Sequence, residues 1–339
     1  MKPIAIINND TVHRLHIGYT IGTTCNYKCH YCFEGCNDGK YRFPENFELV
    51  KKNFSYIINL YRTHFKKTHV RINITGGEPS LWPRLGEFAE YFSQEQDCKI
   101  SLSTNGSRTL NFWKRYAHYF DDIHISIHNE FCNVDHIIEV MDWIYENEKD
   151  VLINGTVLMD PFHWEKCVDI VETLKNHPVP WLLKARPVLL NGQMDHYEEH
   201  ELEYMRDKIK KRPPEEWIEH IKSLGTIQSS APDVKVLLDN GETMPQNTFE
   251  MFENNWQHFA GWSCNLGIDR FTIERNGDIQ GSCGARNLFG LPQPLSVYDE
   301  NLEEKFNIDI IKPIICPQQY CICATDVRTT KHNVQFKRN

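Results

Sequence analysis

Six short β-branched runs alternate with amphipathic helical stretches over about the first 190 residues, and this alternation constrains the fold more than any other feature of the chain. The runs fall at 15–21, 70–75, 99–103, 123–128, 151–159 and 181–190. Between them, apolar residues recur at helical spacing. Phe47, Val50, Phe54, Ile57, Ile58 and Tyr61 share one face, as do Leu85, Phe88, Ala89 and Phe92. Val134, Ile137, Ile138, Met141 and Ile144 make a third stripe, and Cys167, Ile170, Val171 and Leu174 a fourth. Strand and helix in this rhythm predict a parallel sheet, doubly wound or curled. Six units fall short of the eight that close a barrel, so the expected class is α/β, a partial (β/α)6 TIM-type barrel over residues 1–195.

The rhythm changes after residue 195. Residues 196–260 read as a connector with some structure, a candidate substrate-covering insert whose Trp217, Phe252 and Trp256 are available either to a cavity or to the core. Within it, the apolar run 234–238 followed by Asp239-Asn240-Gly241-Glu242 predicts a hairpin. From 261 to 339 a small cysteine-rich α+β extension is expected, with a second hairpin where Phe271 and Ile273 lead into Asn276-Gly277-Asp278.

Composition narrows the function classes. A net charge of −9 lacks the basic face that capture of nucleic acid or an anionic membrane would need. The local basic run 206–212 is flanked by acidic residues and reads as a solvated helix face. No apolar stretch is long enough to span a bilayer, and the first ten residues lack a secretory pattern. The expected address is therefore the cytoplasm, with reduced thiols.

Against that background twelve cysteines are many, and they cluster: four lie between 25 and 36, five between 264 and 323. Cys25, Cys29 and Cys32 have C-x3-C-x2-C spacing just after the first expected strand. Three thiolates on one short loop suit iron, holding three corners of a cubane cluster and leaving the fourth iron open. Zinc prefers two close pairs of cysteines and fits this spacing poorly.

The run Cys25-Asn-Tyr-Lys-Cys29-His-Tyr31-Cys32 resembles the radical S-adenosylmethionine (SAM) superfamily, with an aromatic residue before the third cysteine. The resemblance implies a [4Fe-4S] cluster on Cys25, Cys29 and Cys32, whose open iron chelates the SAM methionyl group so that an electron can cleave its carbon–sulfur bond. It assigns three ligands, which makes Cys36 a free thiol in the loop. Thr75-Gly76-Gly77-Glu78-Pro79, ending the second run, is similar to the family's element that hydrogen-bonds the SAM amino group. Ser103 and Asn105 match the polar strand end near the SAM ribose and carboxylate, and Ser126 stands where relatives carry a serine two residues before an acid. Here His128 replaces that acid, so the acid's role does not carry over. Lys184 and Arg186 share a side of the sixth run, and Arg186 is a candidate partner for the SAM carboxylate.

The C-terminal cysteines are similar to the auxiliary-cluster extensions called SPASM and twitch domains. Cys264, Cys283 and Cys316 are the first three expected ligands, with Cys321 or Cys323 the fourth, for one auxiliary [4Fe-4S] cluster. Four thiolates also satisfy zinc, so the metal stays open. Taken together, the resemblance implies a radical SAM oxidoreductase or modifying enzyme that abstracts hydrogen from its substrate. That substrate is expected to be a peptide or protein, with a small sugar or nucleoside as the alternative, and the electron donor a reductase such as flavodoxin or ferredoxin. About 14 residues precede the first expected strand, so any peptide leader is expected to need a separate partner. The readings from another class are a passive iron–sulfur electron carrier and a degenerate SAM-binding protein, neither of which cleaves SAM.

Overall fold

The computed structural model describes residues 1–188, 196–207, 214–224, 234–281, 288–321 and 326–336. A short N-terminal strand, β1 (Pro3–Ile7), precedes the expected series: β2 (Arg14–Thr20), β3 (His69–Thr75), β4 (Cys98–Thr104), β5 (Asp122–His128), β6 (Leu152–Met159) and β7 (Leu182–Pro187). Between these run α1 (Phe47–Phe65), α2 (Leu85–Ser93), α3 (Leu110–Tyr116), α4 (Val134–Asn147) and α5 (Trp164–Asn176). Strands β2 to β7 pair in parallel in sequence order, as the alternating pattern requires, and the sheet does not close. The fold is a partial TIM-type barrel.

Helices α1 and α4 show stripe and cap together. The α1 stripe of Val50, Phe54, Ile57, Ile58 and Tyr61 is fully buried. Asn46 caps its start by accepting from the Leu49 amide, and Lys66 ends it in the left-handed region. Asn133 starts α4 in the same way. These stripes cover one face of the sheet, where Leu15, Ile17 and Tyr19 of β2 and Ile123, Ile125 and Ile127 of β5 alternate inward. Burial of each such side chain contributes roughly 1.5–3 kcal/mol before entropy is charged against it.

The opposite face is polar. His16, Arg71, Ser101, Asp122, His124, Asn154, Lys184 and Arg186 lie along it by alternation and register. A curled sheet with such a lining encloses a chemical site rather than a second apolar core.

Beyond β7 come α6 (Glu199–Asp207) and α7 (Glu215–Ser223), then the hairpin of β8 (Val234–Leu238) and β9 (Thr243–Gln246) that the Asn-Gly pair predicted. α7 carries Trp217 against Tyr145 on α4, with ring centroids 5.7 Å apart. The extension adds β10 (Ser263–Cys264), β11 (Arg270–Ile273), β12 (Asp278–Gln280), β13 (Leu295–Ser296), β14 (Ile314–Ile315) and β15 (Lys331–His332). β11 and β12 form the second predicted hairpin, and β11 lies parallel to β2, prolonging the main sheet at its open edge. A six-stranded antiparallel sheet, ordered β14-β10-β15-β1-β8-β9, takes strands from the N-terminus, the connector and the extension. Among the described residues no helix is long and apolar enough to cross a membrane.

Candidate active site

The loop after β2 runs to Asn46 without a helix or strand and carries Cys25, Cys29, Cys32 and Cys36. Three successive strand ends hold it. At the end of β3, the Gly77 amide donates to Gly22 O at 3.0 Å and the Glu78 amide to Thr24 O at 2.8 Å. A Cβ on Gly77 would lie 2.4 Å from Thr24 O, and one on Gly76 would lie 2.8 Å from Gly22 O. Gly76 also has φ +147°, which side-chain-bearing residues rarely adopt. In the described structure both glycines serve the approach of one backbone to another.

The end of β4 grips the loop through Asn26, whose Oδ1 accepts from Asn105 Nδ2 at 2.9 Å while its own Nδ2 donates to Ser107 Oγ at 2.9 Å. At the end of β5, His128 Nδ1 lies 3.4 Å from Cys29 Sγ and 3.1 Å from Tyr31 Oη, and its ring stacks on Tyr31 at an interplanar angle of 9°. Burial holds His128 down at about 4, so its imidazole is neutral at pH 7.

These contacts surround a cavity of about 150 Å3. Cys25, Cys29 and Cys32 share its wall with Gly76, Gly77, Ser103, Asn105 and Ser126. Tyr27, Cys36, Asn37, Thr75, Thr104 and His128 complete the lining. Tyr31, Glu78, Pro79 and Arg186 stand outside the wall. Tyr31 backs His128 and also donates to Asn129 Oδ1 at 3.3 Å. Pro79 opens the turn that follows Glu78. Arg186 lies on β7, in register with Leu158 and, through it, with His128.

Glu78 is 1% exposed and its carboxylate is fully engaged. Oε1 accepts from the Ser80 amide at 2.9 Å and from Thr104 Oγ1 at 2.6 Å, and Oε2 accepts from the Asn105 amide at 2.6 Å. Burial raises its pKa, while these hydrogen bonds pull the other way. The carboxylate therefore locks the β3 loop to the β4 end, and both segments present atoms to the cavity.

The donor set fits an iron–sulfur cluster: the three soft thiols of Cys25, Cys29 and Cys32 face one partly desolvated space, with Cys36 on the same wall. Burial raises all three thiols, Cys29 to about 12 and Cys32 to about 11. They keep their protons until a Lewis acid displaces them.

In the extension, Cys264 ends β10 opposite Ile314 of the antiparallel β14, while Cys316 follows β14 at the other end of the pair, its amide donating to Trp262 O at 2.7 Å. Cys321 is fastened nearby through its amide to Gln257 O at 2.9 Å, and all three are buried. Cys283 and Cys323 lie outside the described residues. The ten described cysteines are free thiols. Phe252 and Trp256 both pack on the core, and Trp256 also lines, with Phe259 and Trp262, a separate cavity of about 430 Å3.

A family model described as the Radical SAM superfamily matches residues 19–200, more than half of the chain. The chain belongs to the radical SAM superfamily. One curated relative is an S-adenosylmethionine-dependent nucleotide dehydratase from Fibrobacter sp., 36% identical over 114 residues that cover 33% of this chain and 33% of that protein. Another is a GTP 3',8-cyclase from Haemophilus ducreyi, 28% identical over 208 residues, 56% of this chain and 58% of that protein. The chain thus spans less than two thirds of the length of these relatives. Among solved structures, native anSMEcpe with bound AdoMet and Kp18Cys peptide gives a TM-score of 0.46 at 14% identity, covering 88% of this chain and 84% of that one.

Proposed function

We propose that this chain is an enzyme that reductively cleaves SAM and abstracts hydrogen from an anionic small molecule of the nucleotide class. The observation that carries the first part is the meeting of Cys25, Cys29 and Cys32 with the ends of β3, β4 and β5 on one cavity. When bound, the cluster supplies the electron that breaks a SAM carbon–sulfur bond and so generates the hydrogen-abstracting adenosyl group. The chain's own work is positional. Gly76 and Gly77 seat the loop, Glu78 fixes the two strand ends against each other, and His128 holds Cys29 and Tyr31 while staying neutral.

Two features favour a nucleotide over the peptide expected from the sequence. Lys184 and Arg186 lie on the polar face of β7, where His124 is lowered first by its burial and further by both cations, so two positive charges stand at that side of the sheet. Such a pair suits the SAM carboxylate and a substrate phosphate. The curated relatives named above are also named for nucleotide substrates. For the extension, the proposed ligands of one auxiliary [4Fe-4S] cluster are Cys264, Cys283 and Cys316 with either Cys321 or Cys323 as the fourth, a reading supported by the burial of Cys264, Cys316 and Cys321. A flavodoxin or ferredoxin is the proposed electron donor.

The test is anaerobic reconstitution, iron counting, and dithionite-driven formation of 5′-deoxyadenosine with a panel of ribonucleoside triphosphates and, separately, unstructured peptides. The expected outcome is about eight irons per chain and deoxyadenosine formation stimulated by a nucleotide but not in Cys29→Ala. Stimulation by peptides alone overturns the substrate class. No SAM cleavage by a fully loaded chain overturns the enzyme reading.

A further inference from the structure

Outside the cavity, His30, Asp160 and His163 bring three potential ligand atoms within 4.8 Å of one another. No motif joins them. His30 sits in the cysteine loop between Cys29 and Tyr31, whereas Asp160 caps, and His163 ends, the short turn Pro161–His163 after β6. Asp160 is 0% exposed, and each carboxylate oxygen faces one imidazole: His163 Nδ1 is 2.6 Å from Oδ2, and His30 Nε2 is 3.6 Å from Oδ1.

We infer that these three residues form a site for a divalent transition cation of the zinc class, with solvent as the fourth ligand. Bonds of about 2.0–2.2 Å from zinc to imidazole nitrogen and carboxylate oxygen place tetrahedral ligands roughly 3.4 Å apart. His30 Nε2 stands near that spacing from Oδ1, whereas His163 Nδ1 is hydrogen-bonded to Oδ2 and would draw back by about 0.8 Å to share a cation. Two imidazoles and one carboxylate are borderline donors that suit zinc better than magnesium or calcium.

An independent feature points the same way. His30 turns its other nitrogen, Nδ1, to Glu130 Oε1 at 3.3 Å, and its backbone amide donates to Glu130 Oε2 at 3.1 Å. A carboxylate behind a ligating imidazole is the arrangement that fixes ring orientation and raises ligand basicity in metal sites. The Asp160 carboxylate is fixed by two further donors, the Phe162 amide to Oδ1 at 3.1 Å and Asn129 Nδ2 to Oδ2 at 3.4 Å. A cation here would pin the middle of the cysteine loop to the end of β6, with Cys29 and Tyr31 on either side of the pinned residue.

The experiment uses the anaerobically reconstituted, full-length chain, exposed to zinc chloride, desalted, and compared with His163→Ala treated identically. His163 is half exposed, so its truncation leaves the core intact. The expected result is about one zinc per chain more in the parent than in His163→Ala at equal iron content. Zinc-edge X-ray absorption should then assign that zinc to nitrogen and oxygen at about 2.0–2.1 Å, with no sulfur at about 2.3 Å. Glu130→Gln should keep the site but lose zinc to a competing chelator about 10–100-fold more readily. Equal zinc in parent and His163→Ala, whether none or a sulfur-bound equivalent, overturns the assignment and leaves the trio as a hydrogen-bonded clamp.

Discussion

Replacing Gly77 with alanine tests how the cysteine loop is held. The added methyl would lie 2.4 Å from Thr24 O and 2.7 Å from Thr24 C, both backbone atoms, whereas real Cβ contacts essentially never fall below 3.0 Å. No rotamer change relieves a clash with backbone, so the loop must retreat by roughly 0.6 Å or more, one residue before Cys25. That retreat loosens the Gly77–Gly22 and Glu78–Thr24 hydrogen bonds together. Overpacking of this kind costs about 1–3 kcal/mol, and misplacement near 1 Å at a reacting centre costs about 100-fold in rate. The expected Gly77→Ala phenotype is a folded chain with a slightly lower melting temperature, depleted iron after reconstitution, and deoxyadenosine formation reduced by about two orders of magnitude. Gly155→Ala is the control, because its Cβ meets only side-chain atoms at 3.3 Å and beyond. If Gly77→Ala loads iron and cleaves SAM like its parent, backbone docking of the two loops does not position the cysteines.

Glu78→Gln replaces an acceptor-only group that receives three donors with one that must turn an amide N–H toward at least one of them. A loss of about 1–3 kcal/mol is expected in chemical denaturation, with weaker SAM binding by calorimetry. Burial depresses His16 to about 4, helped by Arg270 and Arg71 and opposed by Asp10. Its folded-state pKa lies below the ordinary 6.5, so its contribution is intact above that value and is lost as pH falls toward 4, about 2 kcal/mol between pH 7 and pH 5. Asp122, raised by burial to about 6, works in the opposite sense, so the readout is the smaller acid destabilisation of His16→Gln relative to its parent, not the parent's curve alone. Lys67 and Asp269 form a buried pair at 2.7 Å, and Lys67→Met should destabilise by about 3–5 kcal/mol by stranding the carboxylate, with Asp269→Asn in the same chain restoring much of that loss.

The elements legible in the sequence were those with length and period. Strands β2 to β7 and helices α1, α2, α4 and α5 each carry an apolar repeat, whereas α3, which buries only the adjacent Phe112 and Trp113, has none; the two hairpins each carry an Asn-Gly pair. The two-residue strands β10, β13, β14 and β15 are too short to have a period and exist because neighbours supply their partners. β1 offers only the two-residue alternation of Ile4 and Ile6, and its partners β8 and β15 are more than two hundred residues away. At the site, the cysteine spacing and the strand-end motifs marked most of the cavity wall. The Thr75–Pro79 motif marked Glu78, but its contacts to Thr104 and the Asn105 amide, some 26 residues on, carry no signal in the sequence. Asn26 carries no recognisable signal, and the trio His30, Asp160 and His163 could not be assembled from positions some 130 residues apart.

The placement of the extension follows from the same physics that leaves the barrel open. An unclosed parallel sheet exposes unpaired backbone groups at β2, and the chain covers that edge by returning β11 in parallel register, Phe271 against Ile17 and Ile273 against Tyr19. Covering the edge brings the turn of the β11–β12 hairpin to the cysteine loop, where Arg275 donates to Gly35 O and lies over the Tyr41 ring, 5.3 Å from its centroid. The buried Lys67–Asp269 pair anchors the other end of the same segment, with Thr11 Oγ1 donating to Asp269 Oδ2 at 3.1 Å. One strand therefore completes the sheet and braces the loop that bears Cys25, Cys29 and Cys32. Loss of the extension would be expected to disturb cluster loading even if none of its cysteines took part in the chemistry, so substitutions at Cys264 or Cys316 are the cleaner probe of an auxiliary centre than truncation.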